Sequence, residues 1–147
     1  MRLKDSRGFT LLEVLLSTGI ITVLVGLSLP VYQSFQNRND LDIAADSITL
    51  LLRRAQVYAE GMNQDSAWGV EIQSGVATLF KGTSFAARNT AYDEPVDISE
   101  AIAVSGLGEV LFSKFSATPN TTGSVTLTSI NNDIRTIAIN AKGTVSY

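Results

Sequence analysis

Two hydrophobic rhythms divide the chain. Residues 9–31, FTLLEVLLSTGIITVLVGLSLPV, place apolar side chains on every face of a projected helix, and Glu13 is the one charged residue among them. At about 1.5 Å per residue the run is roughly 35 Å long, enough to cross a bilayer core. It predicts a transmembrane helix over residues 9–31. From Asp40 the spacing changes to threes and fours. Leu41, Ala44, Ala45, Ile48, Leu51, Leu52, Ala55, Tyr58 and Ala59 share a stripe, and Asp42, Asp46, Thr49, Arg53, Gln56 and Glu60 mostly lie away from it. This predicts an amphipathic continuation over residues 32–61 that must lie against something, with Gly61 as its C-cap. Pro30 stands near the end of the apolar run. It removes an intrahelical hydrogen bond, so a kink or local unwinding is expected there.

After Gly61 the rhythm becomes alternating, and residues 62–147 read as a β-rich domain. Residues 67–72 and 76–81 form a hairpin around Gln73, Ser74 and Gly75. Residues 82–100 are polar and irregular, with a short strand near 96–98. Further strands are expected over 109–115, 123–130, 134–140 and 144–147, the third and second of these joined by a turn at Asn131, Asn132 and Asp133. Trp68, the single tryptophan, is expected to pack on the helix. The sum is an α+β fold, a long N-terminal helix packed on antiparallel sheet.

Charge then fixes an orientation. Residues 1–8, MRLKDSRG, hold Arg2, Lys4 and Arg7 against Asp5, a local charge of +2. That predicts a cytoplasmic N-terminus and export of the rest. A cleavable secretory signal is the rival, but it needs small residues after the apolar run. Tyr32, Gln33, Ser34, Phe35 and Gln36 offer no such site. A plain anchor leaves Glu13 unexplained, since a carboxylate inside a membrane helix costs about 2.5–3.5 kcal/mol on insertion scales and marks a functional site by default.

Composition narrows the chemistry. Of 147 residues, about 115 remain for one soluble domain once leader and anchor are set aside. Three of the 11 basic and one of the 14 acidic residues lie in the leader, leaving 8 against 13 and a net −5. Such a balance does not favour a broad nucleic-acid footprint. The chain has no histidine and no cysteine, which excludes disulfides, thiolate or imidazole zinc sites and histidine-based triads. Asp93, Glu94, Asp97 and Glu100 lack the spacing and glycine turn of a calcium loop. No cofactor, metal site or enzymatic centre is expected.

The stretch RGFTLLEVLLS resembles the processing site of type IV prepilins and type II secretion pseudopilins, with Gly8, Phe9, Thr10, Leu11, Leu12 and Glu13 matching in order and Pro30 matching a proline common near the end of the run. The resemblance implies cleavage between Gly8 and Phe9 by prepilin peptidase, usually with N-methylation of Phe9. It implies an inner-membrane subunit, single-pass with its C-terminal domain periplasmic or extracellular, later extracted by an assembly platform into a pilus or pseudopilus. Its partners would be membrane lipid, other pilin or pseudopilin subunits and that platform. Glu13 would then neutralise the new Phe9 amine of a neighbouring subunit. A looser similarity links LLRRAQVYAE, WGVEI, GVATLFKG and RTIAINAKGTVSY to GspH/FimT-like minor pseudopilins and minor pilins, through Arg53, Arg54, Ala55, Trp68, Val70, Ile137, Ile139 and Gly143. Some FimT-like proteins bind DNA through basic residues beside that glycine, but here only Lys142 is present. Arg88, Lys114, Arg135 and Lys142 would have to cluster for the alternative function, a ligand- or DNA-binding minor pilin for uptake or adhesion. Type II secretion and type IV pilus roles share the motif, and both stay open.

Overall fold

The structure, a computed structural model, describes residues 8–147 apart from the side chains of residues 27–31. The expected leader thus lies outside the described residues except for Gly8, and so does the Pro30 side chain on which the kink rests. The chain divides into two units, Met1–Phe35 and Gln36–Tyr147.

A helix α1 is assigned over Leu11–Glu60. In the first unit its described apolar side chains are exposed all round, from Leu11 at 84% to Val25 at 56%. Among the described residues no helix is long and apolar enough to cross a membrane. Side chains of the apolar run are described only from Leu11 to Gly26 of that helix, 16 residues where a span needs about 20.

In the second unit the helix stripe is the floor of the core. Leu41, Ala45, Ile48, Leu52 and Ala55 are fully buried, while Tyr58 is half-buried against the same cluster. Two four-stranded antiparallel sheets cover them. The first has the order β3-β2-β1-β5, from β1 (Trp68–Gln73), β2 (Val76–Lys81), β3 (Glu94–Asp97) and β5 (Glu109–Phe112). The second has the order β4-β6-β7-β8, from β4 (Ala103–Gly106), β6 (Gly123–Thr128), β7 (Ile134–Ile139) and β8 (Val145–Ser146). Alternation decides what each sheet contributes. Val70 and Ile72 face inward beside Leu79 and Ala77, their cross-strand partners. Val125 and Leu127 do so from β6, and Ile137 and Ile139 from β7.

The core departs from the expected pattern in three places. Thr49, placed by its chemistry on the polar side of the helix, is buried, and its hydroxyl has no hydrogen-bond partner. Gly61 is not the left-handed cap. That conformation falls one residue later on Met62, at φ +50°, whose N–H donates to the Ala59 carbonyl at 3.2 Å. On the outer face of the first sheet Phe80 is also fully buried, edge-on to Phe85 at 5.6 Å. Gly69, opposite Phe80 in the register, makes the room: a Cβ on it would lie 2.6 Å from the Phe80 ring and 2.8 Å from the Val110 carbonyl oxygen.

Candidate functional site

The N-terminal end of α1 is built by a threonine and a glutamate three residues apart. The Glu13 N–H donates to the Thr10 carbonyl at 3.1 Å and to Thr10 Oγ1 at 3.2 Å. Thr10-x-x-Glu13 is the sequence of a capping box, and the threonine half of that box is formed. Glu13 stands in the first turn, where the positive end of the helix dipole favours a carboxylate. Gly8 and Phe9 precede the helix and are exposed, Phe9 by 83%, with open space around Gly8.

Beyond Glu13, every described polar side chain as far as Gly26 is satisfied by the helix itself. Ser17 and Thr18 donate to the Val14 carbonyl at 3.0 and 2.9 Å, and Thr22 donates to the Thr18 carbonyl at 2.8 Å. Such back-bonding lets hydroxyls sit in an apolar medium without an open donor. The Glu13 carboxylate has no such relief, for it is exposed and forms no ion pair among the described residues. Among the described residues, then, one charge stands on a long apolar surface with no cation paired to it.

The other candidates resolve differently. Arg88 pairs with Asp93 at 2.8 Å and lies over the Phe85 ring, Arg135 pairs with Asp42 at 2.8 Å, and Lys114 pairs with Asp65. The Lys114 ammonium holds the Asp65 carboxyl below its usual value by hydrogen bonding and by charge. Of the four cations considered for nucleic acid, only Lys142 is outside an ion pair among the described residues. In the acidic loop, Glu94 is bound to Arg54 at 2.6 Å and Asp93 to Arg88. No group of three metal-ligating residues is found among the described residues. Trp68 is a core residue, 3% exposed, edge-on to Tyr58 at 4.9 Å and donating through Nε1 to the Asn63 carbonyl at 2.9 Å. The C-terminal strands are tied to the helix as well. The Tyr147 hydroxyl donates to Asp46, which raises its pKa above the ordinary phenol value, first through that hydrogen bond and then through desolvation.

From the sequence, Thr10 is named only as a motif position; its capping role is carried by a Thr-x-x-Glu signal that is plain once the helix start is fixed.

Residues 3–29 match the model of the prokaryotic N-terminal methylation motif. Among solved structures, the fold is similar to that of the minor pseudopilin EpsH from the Type 2 Secretion System of Vibrio cholerae. The two chains are 16% identical, with a TM-score of 0.56 over 73% of this chain and 94% of that one. No curated protein matches the sequence. The chain thus carries that motif at its N-terminal end and has a fold similar to that of a minor pseudopilin.

Proposed function

We propose that the chain is a minor pilin or pseudopilin subunit. Residues 9–31 hold it in the inner membrane as a single pass, with residues 1–8 on the cytoplasmic side and residues 62–147 exported. Prepilin peptidase cuts between Gly8 and Phe9 and methylates the new terminus. An assembly platform then draws the subunit from the lipid into a pilus or pseudopilus beside other subunits.

The observation that supports this reading is Glu13, which has no ion-pair partner among the described residues and stands on an apolar helix whose other described polar side chains as far as Gly26 are self-satisfied. A desolvated carboxylate is stable only beside a counter-charge. Cleavage makes one, the Phe9 amine, and sets it on the same apolar surface. Within one chain the two lie at adjacent turns, so the amine of one subunit reaches the carboxylate of the next when their helices run parallel and staggered. Membrane extracts pulled down through a C-terminal tag test the role. Other pilin-type subunits are expected with the chain, and its recovery alone would count against an assembly function. The DNA-binding alternative gains no support, since Arg88, Lys114 and Arg135 are each neutralised by a carboxylate.

A further inference from the structure

At one end of the second unit the surface breaks its own pattern. Strands β6 and β7 turn back on each other through residues 129–133. There the Ser129 N–H donates to the Asp133 carbonyl at 2.9 Å and the Asn132 N–H to the Ser129 carbonyl at 3.0 Å. Along the outer face of this pair the side chains are small or hydroxylated, Ser124, Thr126 and Thr128 from β6 and Thr136 and Ala138 from β7. At the tip they give way to Ile130 and Ile134, 66% and 54% exposed. A hairpin turn in water favours polar residues, and Asn131 and Asn132, between the two isoleucines, obey that rule. Two large β-branched side chains bracketing the turn do not.

The position of the tip says what it meets. It lies beside the first turns of α1 in that unit, since Arg38 pairs with Asp133 at 3.2 Å and Arg135 with Asp42 at 2.8 Å. Asn37 and Asp40 line a shallow hollow with Ser129 and Ile130. The other end of the helix meets a different loop, with the Phe115 N–H donating to the Ala59 carbonyl at 2.9 Å. Asn37 follows Val31, where the apolar run ends, by six positions, and six residues reach about 20 Å at full extension. Chain length alone therefore keeps the isoleucines near the point where residues 9–31 leave the bilayer. Charge does not draw them there. Arg38 and Arg135 are matched by Asp133 and Asp42, and Asp40 and Asp97 line a neighbouring groove. This end offers anionic headgroups no surplus of cations, so its contact with a bilayer is an apolar one.

We propose that the tip of the β6–β7 hairpin is a membrane-contact site, with Ile130 and Ile134 entering the interfacial zone of the bilayer that anchors the same chain. The inference rests on the inner-membrane anchoring above and adds a second foothold to it. An exposed apolar patch rimmed by polar groups is a surface suited to a membrane interface. The anchor makes the encounter local, so two side chains suffice where an untethered protein would need more. The contact holds the domain against the lipid until the subunit is drawn out, and is then given up.

The absence of cysteine from the sequence lets a single label be placed at will. Asn131→Cys puts an environment-sensitive fluorophore on the tip and leaves both isoleucines in place. Phe115→Cys puts one at the other end of the helix, on a residue that is 71% exposed. The full-length chain is reconstituted in phosphatidylcholine vesicles in which a fraction of the lipid carries a nitroxide quencher. Quenching at 131 is expected several-fold above that at 115, and unchanged by added salt. Ile130→Asn with Ile134→Thr, residues that suit a turn and a strand, should bring it down to the level at 115. Equal quenching at both positions, its loss in salt, or quenching at 131 that survives the double substitution would overturn the contact. Flotation of the vesicles separates the two readings. A chain that floats but is quenched equally at both positions condemns the hairpin contact alone, whereas a chain that stays behind removes the anchor and the contact with it.

Discussion

Replacing Glu13 with alanine is expected to leave the chain cleaved and anchored but to remove it from the filament. Insertion should not suffer, because the substitution takes a carboxylate out of an apolar run at a position where charge is costly. Cleavage should not suffer either, since Gly8 and Phe9 lie ahead of the helix and are exposed. Assembly is different. Removing one member of a desolvated ion pair strands the other, at about 3–5 kcal/mol, which corresponds to roughly two to three and a half orders of magnitude in an association constant. Pull-down of tagged Glu13→Ala should therefore recover the processed chain with few or no other subunits. Normal co-assembly of this variant would dismiss the proposed pairing with Phe9.

The second large effect belongs to the domain that the helix carries. Phe112 is fully buried on β5, opposite Trp68 in the register, and bridges to Pro119 beyond the strand. It closes the inner face of the first sheet over the helix. Truncating such a ring to alanine costs about 3–5 kcal/mol, a large share of the 5–15 kcal/mol typical of a domain. Thermal unfolding of the full chain in detergent, followed by circular dichroism, should show Phe112→Ala melting on the order of 10–20 °C below the parent. Phe115→Ala is the control. Phe115 lies three residues on and is 71% exposed, so its loss should change stability by no more than about 0.5 kcal/mol. Equal melting of the two variants would mean that the β5 packing described above is wrong.

What could be read in advance follows from how local each signal is. The apolar run, the three-four stripe and the alternation of Val125, Leu127, Ile137 and Ile139 are written in consecutive residues, and each element is found where its rhythm lies. The turn at Ser74 and Gly75 needs only its own residues as well, with Gly75 at φ +89°. Strand β4, by contrast, was absent from the expectations. Ala103–Gly106 is short and mostly exposed, and only its ladder to β6 makes it a strand. The burial of Thr49 and Phe80 depends on partners far along the chain. A hydroxyl at a helical position gives no hint that sheets will close over both flanks of the stripe. On the outer face of β2, Phe80 is likewise buried by a partner outside its own strand, Phe85 of the following loop. Met62 took the left-handed cap from Gly61 because a glycine permits that conformation without requiring it.

At the site the same division holds. Gly8, Phe9 and Glu13 can be singled out as candidates because the motif is contiguous. The fates of Arg88, Lys114 and Arg135 cannot be read in this way, since their carboxylate partners are set by tertiary contacts, Arg135 reaching Asp42 from 93 positions away.

The proposed assembly role turns on whether a free amine is made at Phe9. Mass spectrometry of the chain recovered from assembled material measures this directly. The account predicts a polypeptide beginning at Phe9 and carrying an N-methyl group. A mature product that still begins at Met1 would contradict it.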